Sequence, residues 1–179
     1  MKKINEIQDI MHDIQYGYLN LNNEPIQEVD SKFDEEYRLQ TPKETLKYKV
    51  GVCWDQVELE RVLFKGYDFK TYFILYNSNF WGPTHTFLVY EDHNNYYWFE
   101  NSWFNYRGIH KYKTLNELFY DIASKHLKFH ELKNLGINDI NIYEYSKPKY
   151  NIRPDEYLNH CQKGKLIKIN EKENINEKI

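Results

Sequence analysis

Thr84-His85-Thr86-Phe87-Leu88-Val89-Tyr90-Glu91-Asp92-His93-Asn94-Asn95-Tyr96-Tyr97-Trp98-Phe99-Glu100-Asn101 is the stretch that decides the fold. Two runs rich in aromatic and β-branched residues, 84–91 and 96–101, flank the polar turn Asp92-His93-Asn94-Asn95, which is the pattern of a β-hairpin. With that turn, Glu91 lies opposite Tyr96 and Phe87 opposite Glu100. Paired residues share a face of the sheet, as do residues two apart in one strand. Glu100 therefore falls on the His85 face, one pair diagonal to it. A glutamate inside Tyr-Tyr-Trp-Phe is costly without a partner, and this register supplies one. A turn shifted by one residue would put Asn101 in that place, an amide that also orients imidazoles. The register favours Glu100 and keeps Asn101 as the alternative.

Upstream, Gly51-Val52-Cys53-Trp54-Asp55-Gln56 opens a stretch of helical period over 53–65. Val57, Leu59, Val62, Leu63 and Phe64 alternate there with Asp55, Glu58, Glu60 and Arg61, which reads as an apolar face against a charged one. Gly66 is a C-terminal stop. Ile4, Ile7, Ile10, Met11 and Ile14 predict an amphipathic helix over 4–15. Thr41-Pro42-Lys43-Glu44 has the form of a capping box with proline at the first helical position, and Thr114-Leu115-Asn116-Glu117 is a second box. The second opens a helix to about Leu127, with Leu118, Phe119, Ile122 and Ala123 as its apolar side. Lys70–Tyr76 and Ile140–Tyr145 read as further strands, and Pro154–Cys161 as a short helix. Asn20–Lys32 is polar and turn-rich. The sum is an α+β domain, a cysteine-bearing helix packed on an antiparallel sheet. A single domain is expected over 1–162, with its core at about 40–146, and a mobile charged tail over 163–179.

Composition narrows the partners. Among 179 residues, 41% are hydrophobic and 17% aromatic, as expected of a folded chain. The 24 basic and 27 acidic residues leave a net charge of -3 without a basic block, so no nucleic-acid partner is expected. No apolar run approaches the roughly 20 residues of a membrane span, and Met1-Lys2-Lys3-Ile4 lacks the apolar core of a signal peptide. Two cysteines, Cys53 and Cys161, far apart and without a CxxC pair, argue against a disulfide scaffold and a structural zinc site. Neither metal nor cofactor is expected, and the default setting is cytoplasmic.

Cys53, His85 and a carboxylate then stand where a thiol enzyme needs them. A helix N-terminus favours a thiolate through its free N–H groups and dipole, and a nearby imidazole takes the proton. The N–H groups of Cys53 and Trp54 at that terminus can receive an oxyanion. Gln56, one turn on, is a second oxyanion candidate, its alternative being a solvated helix position. Asp55 favours the helix start electrostatically. The competing reading of Cys53 is a small buried hydrophobe, and that of His85 a core histidine satisfied by one hydrogen bond. His93, His110, His126 and His130 sit among polar neighbours and read as surface residues. Trp81 and Trp103, at strand ends near the proposed site, are candidates for a substrate groove, and Cys161 reads as incidental.

Gly-Val-Cys-Trp-Asp, a histidine opening an aromatic strand, and Trp-Phe-Glu on the next together resemble the transglutaminase-like superfamily over about residues 40–115. The continuation Asn101-Ser102-Trp103 to Gly108-Ile109-His110 is similar to small bacterial members without an assigned reaction. The resemblance implies a papain-like core with Cys53 as nucleophile, His85 as base and Glu100 in the acid position. Glutamate stands where aspartate is usual, and Thr86-Phe87 where Ala-Trp is common. The expected activity is acyl transfer through a cysteine thioester on a peptide or carboxamide bond of a peptide or protein substrate. Hydrolysis is preferred to transamidation. The rival reading is a binding module of the same fold that performs no chemistry.

Overall fold

The computed structural model describes residues 1–77 and 82–171. Helix α1 (Ile4–His12) leads into a small ribbon of β1 (Tyr18–Leu19) with β2 (Pro25–Ile26), then a single helical turn, α2 (Phe33–Glu36). Helices α3 (Pro42–Tyr48) and α4 (Cys53–Leu63) follow. Strands β3 (Asp68–Tyr76), β4 (His85–Asp92), β5 (Asn95–Glu100) and β6 (Gly108–Tyr112) come next, then α5 (Leu115–Phe129), β7 (Ile140–Glu144), α6 (Pro154–Gln162) and β8 (Lys165–Ile167). Among the described residues six strands form one sheet in the order β6-β5-β4-β3-β7-β8, antiparallel throughout. The fold is α+β, with a helical layer on each face of the sheet. No helix among the described residues is long and apolar enough to cross a membrane.

The β4–β5 hairpin has the register expected from its turn: Glu91 pairs Tyr96 and Leu88 pairs Phe99, which sets Phe87 against Glu100. His93 and Asn94 both take positive φ (48° and 58°), as a two-residue type I′ turn requires. Alternation then sends the two faces to different cores. Leu88, Tyr90 and Phe99 pack with Ile7, Met11, Leu59 and Phe64 beneath α1 and α4. Phe87, Val89 and Trp98 pack with Leu118, Phe119 and Ile122 beneath α5. Leu88, Phe87 and Phe99 are almost wholly buried, each contributing about 1.5–3 kcal/mol of apolar burial. A third cluster of Tyr37, Trp54, Phe73, Tyr145 and Tyr157 fills the space beside the N-terminal half of α4.

The boxes at Thr41 and Thr114 close as their spacing dictates. Glu44 N–H donates to Thr41 Oγ1, while Thr41 N–H donates to the Glu44 carboxylate at 2.8 Å. Thr114 and Glu117 repeat the exchange, both bonds at 3.1 Å.

Helix α4 corrects the reading of its charges. Asp55, Glu58 and Glu60 are buried, while Val62 is 53% exposed. The helix runs between α1, α3 and the sheet, so its acids are enclosed, and Asp55 and Glu58 find partners inside. Glu58 receives two bonds from Arg61, which also donates to Thr71 Oγ1 at 2.7 Å and lies over the Tyr145 ring. A pair that neutralises itself can enter a core that a lone charge cannot.

Several elements were not expected. Strand β1 lies just before the stretch read as turn-rich, β2 within it and α2 just after it, and β6 adds to the hairpin where no strand was assigned. Within the expected tail, Lys165–Ile167 pair with Glu144–Ile142 of β7 as the edge strand β8. Gly164 permits the close approach of that turn: a Cβ there would lie 2.2 Å from the Glu144 carbonyl oxygen.

Candidate active site

The site forms where elements begin and end. Cys53 is the first residue of α4, His85 the first of β4, and Glu100 the last of β5. The approach to Cys53 is fixed by backbone bonds: Gln15 N–H donates to the Lys49 carbonyl, and Gly51 N–H to that of Gln15. Lys49 takes the left-handed conformation (φ 53°) that ends α3 and turns the chain. Gly51 leaves room that a side chain would take, since a Cβ would stand 2.9 Å from that of Asp55.

Asp55 then organises the helix start. Its Oδ2 accepts from Val52 N–H at 3.0 Å, and its Oδ1 from the Tyr37 hydroxyl and Gln40 N–H, both at 2.9 Å. Burial pushes its carboxyl up to about 7, opposed by those three donors. The expected electrostatic aid to the helix start is thus also a set of directed bonds, tying α4 to the 37–40 segment.

His85 and Glu100 meet as the hairpin register dictates. His85 Nε2 lies 2.7 Å from Glu100 Oε2, both side chains almost wholly buried. Three further donors hold the carboxylate: Trp98 Nε1 at 3.2 Å, Ser102 Oγ at 3.1 Å and Trp103 N–H at 2.8 Å. The last two come from the turn that follows β5, which folds back onto its own strand end. Cys53 lines the same cavity as His85 and adds to the electrostatics that keep the ring protonated. With Nε2 engaged by Glu100, Nδ1 is the nitrogen left for the thiol. Burial alone would strip the ring of its proton, but the charges and hydrogen bonds of Glu100 and Cys53 outweigh it and raise His85 to about 10. For Glu100, burial is likewise outweighed, here by imidazolium charge and the surrounding donors, so its carboxyl is held below the usual value. Trp103 packs edge-on to His85 at 5.2 Å and Phe87 stacks at 6.2 Å, keeping water off the ring.

The structure brings Cys53, His85, Glu100 and Trp103 together. Asn101, the alternative orienter, belongs to a different contact. Its amide nitrogen donates to the Met11 carbonyl at 2.8 Å and to Gln56 Oε1 at 2.7 Å. Gln56 in turn donates to the Gly51 carbonyl at 2.8 Å. It is buried, not solvated, and its amide braces the turn before Cys53; it does not line the cavity described next. Trp54 places its backbone in the first turn of α4, while its indole stacks on Tyr157 at 4.5 Å. Trp81 lies outside the described residues. Both cysteines are buried and free, and burial raises the Cys161 thiol far above its ordinary value.

A cavity of about 340 Å³ opens over Cys53 and His85. Trp103, Phe104 and Phe129 give it apolar walls, and Tyr16, His126 and His130 add polar groups that the sequence reading did not assign to a site. His126 was expected at the surface but is 1% exposed. The signal was present: 119, 122, 123 and 126 form one stripe of a helix, so the apolar side of α5 continues through His126. Tyr16 carried no such signal, being one of 17 tyrosines in no motif.

The family profile described as a transglutaminase-like domain matches residues 1–104. No curated protein shows a significant match to this chain. The matched segment carries Cys53, His85 and Glu100 and ends before the α5 wall of the cavity. Spanning more than half of the chain, the match shows that it belongs to the transglutaminase-like domain family.

Proposed function

We propose that this protein is a thiol-dependent acyl-transfer enzyme that acts on a peptide or carboxamide bond through a Cys53 thioester. The observation that carries the reading is the buried relay of Cys53, His85 and Glu100 at the floor of an apolar cavity. His85 already holds the Cys53 proton as an imidazolium, and the Cys53 sulfur attacks the substrate carbonyl carbon as a thiolate. A C–S bond forms and the carbonyl oxygen becomes an oxyanion beside the free N–H groups that begin α4. As the C–N bond breaks, the imidazolium returns its proton to the departing amine. Water then attacks the thioester with His85 as base, and C–S cleavage restores the thiol and releases the acid. Glu100 stays ionised and fixes the ring.

Hydrolysis is favoured over transfer to an amine. A cationic amine would be drawn by a carboxylate, and among the described residues that line the cavity none is Asp or Glu.

The test is alkylation by iodoacetamide in mildly acidic buffer, followed by peptide mapping. Cys53 should label much faster than Cys161, and H85A should abolish the difference. Equal, slow labelling of both cysteines would favour a silent binding module on the same fold.

A further inference from the structure

We infer that His126 is a substrate-binding residue, a neutral imidazole whose Nε2–H donates to a carbonyl oxygen of the acyl substrate inside the cavity. The inference rests on the acyl-transfer reading above and names a contact that reading does not contain. His126 lies on α5, beyond the segment matched by the family, and lines the cavity together with Cys53 and His85. Its Nδ1 is 2.6 Å from the Tyr76 hydroxyl. Its Nε2 is buried and, among the described residues, has no hydrogen-bond partner.

The tautomer follows from counting donors. Among the described residues, the Tyr76 hydroxyl has one hydrogen-bond partner, His126 Nδ1. If the hydroxyl donates there, the ring proton sits on Nε2 and one donor is unmatched. If Nδ1 held the proton, the hydroxyl hydrogen and the Nε2 lone pair would both go unmatched. The first arrangement leaves one buried group wanting, the second leaves two, and each such group is costly. Burial, reinforced by the charge of His85 and by His130, lowers His126 to about 2, so the ring is neutral. Tyr76 is driven the other way by its burial, to about 12, and keeps its proton to donate.

The ring is held from several sides. Trp103 packs edge-on at 6.0 Å and His130 at 4.6 Å, while Tyr76 anchors the Nδ1 end in the core beneath α5. The ring lines the cavity and carries the unpartnered Nε2. Closed off from bulk water, that N–H can be satisfied by a group that enters the cavity. A neutral donor among Trp103, Phe104 and Phe129 suits an uncharged oxygen flanked by apolar substance, as in a peptide-like acyl group with a large apolar side chain.

Two probes of equal aromatic character separate the contact from the chemistry. N-benzyl-2-chloroacetamide carries a carbonyl; benzyl methanethiosulfonate does not. With H126F, half-saturation of Cys53 labelling by the chloroacetamide should weaken about five- to tenfold, the worth of one hydrogen bond. Labelling by the thiosulfonate should change less than about twofold. H126Q, which keeps an N–H, should recover most of the loss. Y76F, which frees the tautomer without removing the ring, should give a loss of about two- to fivefold for the chloroacetamide alone. Equal effects on both probes, or none on the chloroacetamide, would overturn the assignment. Nitrogen NMR of the wild-type imidazole should find the proton on Nε2 and no titration between about pH 5 and 8; a proton on Nδ1, or a charged ring, would overturn it as well. That readout needs no reactive thiol, so an inert Cys53 would sink the acyl-transfer reading while the tautomer is still judged.

Discussion

Replacing Glu100 by glutamine changes one atom of the relay and its consequences can be worked through in order. The carboxylate now receives four donors, from His85, Trp98, Ser102 and Trp103. An amide accepts at one oxygen. If that oxygen stays with Ser102 and Trp103, the amide NH2 faces His85 Nε2 and the Trp98 indole N–H. The imidazole then meets it only as an acceptor, with its proton moved to Nδ1, the side of the thiol. That tautomer cannot take the thiol proton, and the corresponding change in a serine-protease triad lowers turnover about 10⁴-fold. A loss of about 10³–10⁴ is expected here. With the charge gone, burial is weakly opposed, and His85 should fall from about 10 to below its ordinary 6.5. Stability follows with a defined sign. A raised His85 stabilises fully below 6.5 and loses that contribution as pH climbs through about 10. A lowered Glu100 stabilises above 4.5 and loses its share as pH falls through its depressed value. E100Q should therefore be weaker than wild type by roughly 3–5 kcal/mol between about pH 5 and 6, the range typical of breaking a buried pair. The gap should close toward pH 10. Proton NMR titration of the His85 Hε1 resonance and denaturant unfolding across pH are the assays. An E100Q protein whose His85 still titrates near 10, or whose instability does not vary with pH, would refute the reasoning.

Two further substitutions probe the surroundings. N101A leaves the Met11 carbonyl and Gln56 Oε1 buried without their donor, so unfolding should cost about 1–3 kcal/mol less while His85 keeps its high titration point; a collapse of that point would move the orienting role to Asn101. Glu60 is buried with its Oε2 unpartnered, and burial together with the charge of Glu100 raises its carboxyl well above 4.5. A raised acid favours the folded state at low pH and costs stability as pH rises past 4.5, so E60Q should melt higher than wild type at neutral pH and converge with it near pH 4. A lower melting point for E60Q at neutral pH would mean that Glu60 is ionised and paired.

What the sequence disclosed was what is locally determined. The hairpin register rests on one turn and a period of two, and these alone place Glu100 beside His85. The boxes at Thr41 and Thr114 rest on three-residue spacings, and they held. Where neighbours distant in sequence decide, the reading strayed. The polarity of α4 is set by Arg61 reaching Glu58 and Thr71, so its acids face inward and Val62 outward. Strand β8 exists because the turn after α6 brings a Lys-rich segment against the edge of β7, although of 165–167 only Ile167 is strongly β-forming. His126 hid among lysines, yet α5 is wrapped so that only its stripe counts.

The longer acid also takes on a meaning in this setting. Glu100 ends β5 opposite Gly108, and its carboxylate is shared between two demands: Oε2 for the imidazole and Trp98, Oε1 for the turn at Ser102 and Trp103. His85 is one pair away along the strand, so the side chain must cross a diagonal of roughly 7–8 Å between backbone positions to reach the ring. An aspartate has one methylene less to do this and would be held by the turn or by the imidazole, not by both. Glutamate spans the gap and matches the donors of His85, the Trp98 indole, the Ser102 hydroxyl and the Trp103 backbone, which allows an ion pair with almost no exposure to stand in the core. The departure from the usual acid is therefore consistent with an intact relay, because strand position and side-chain length compensate each other.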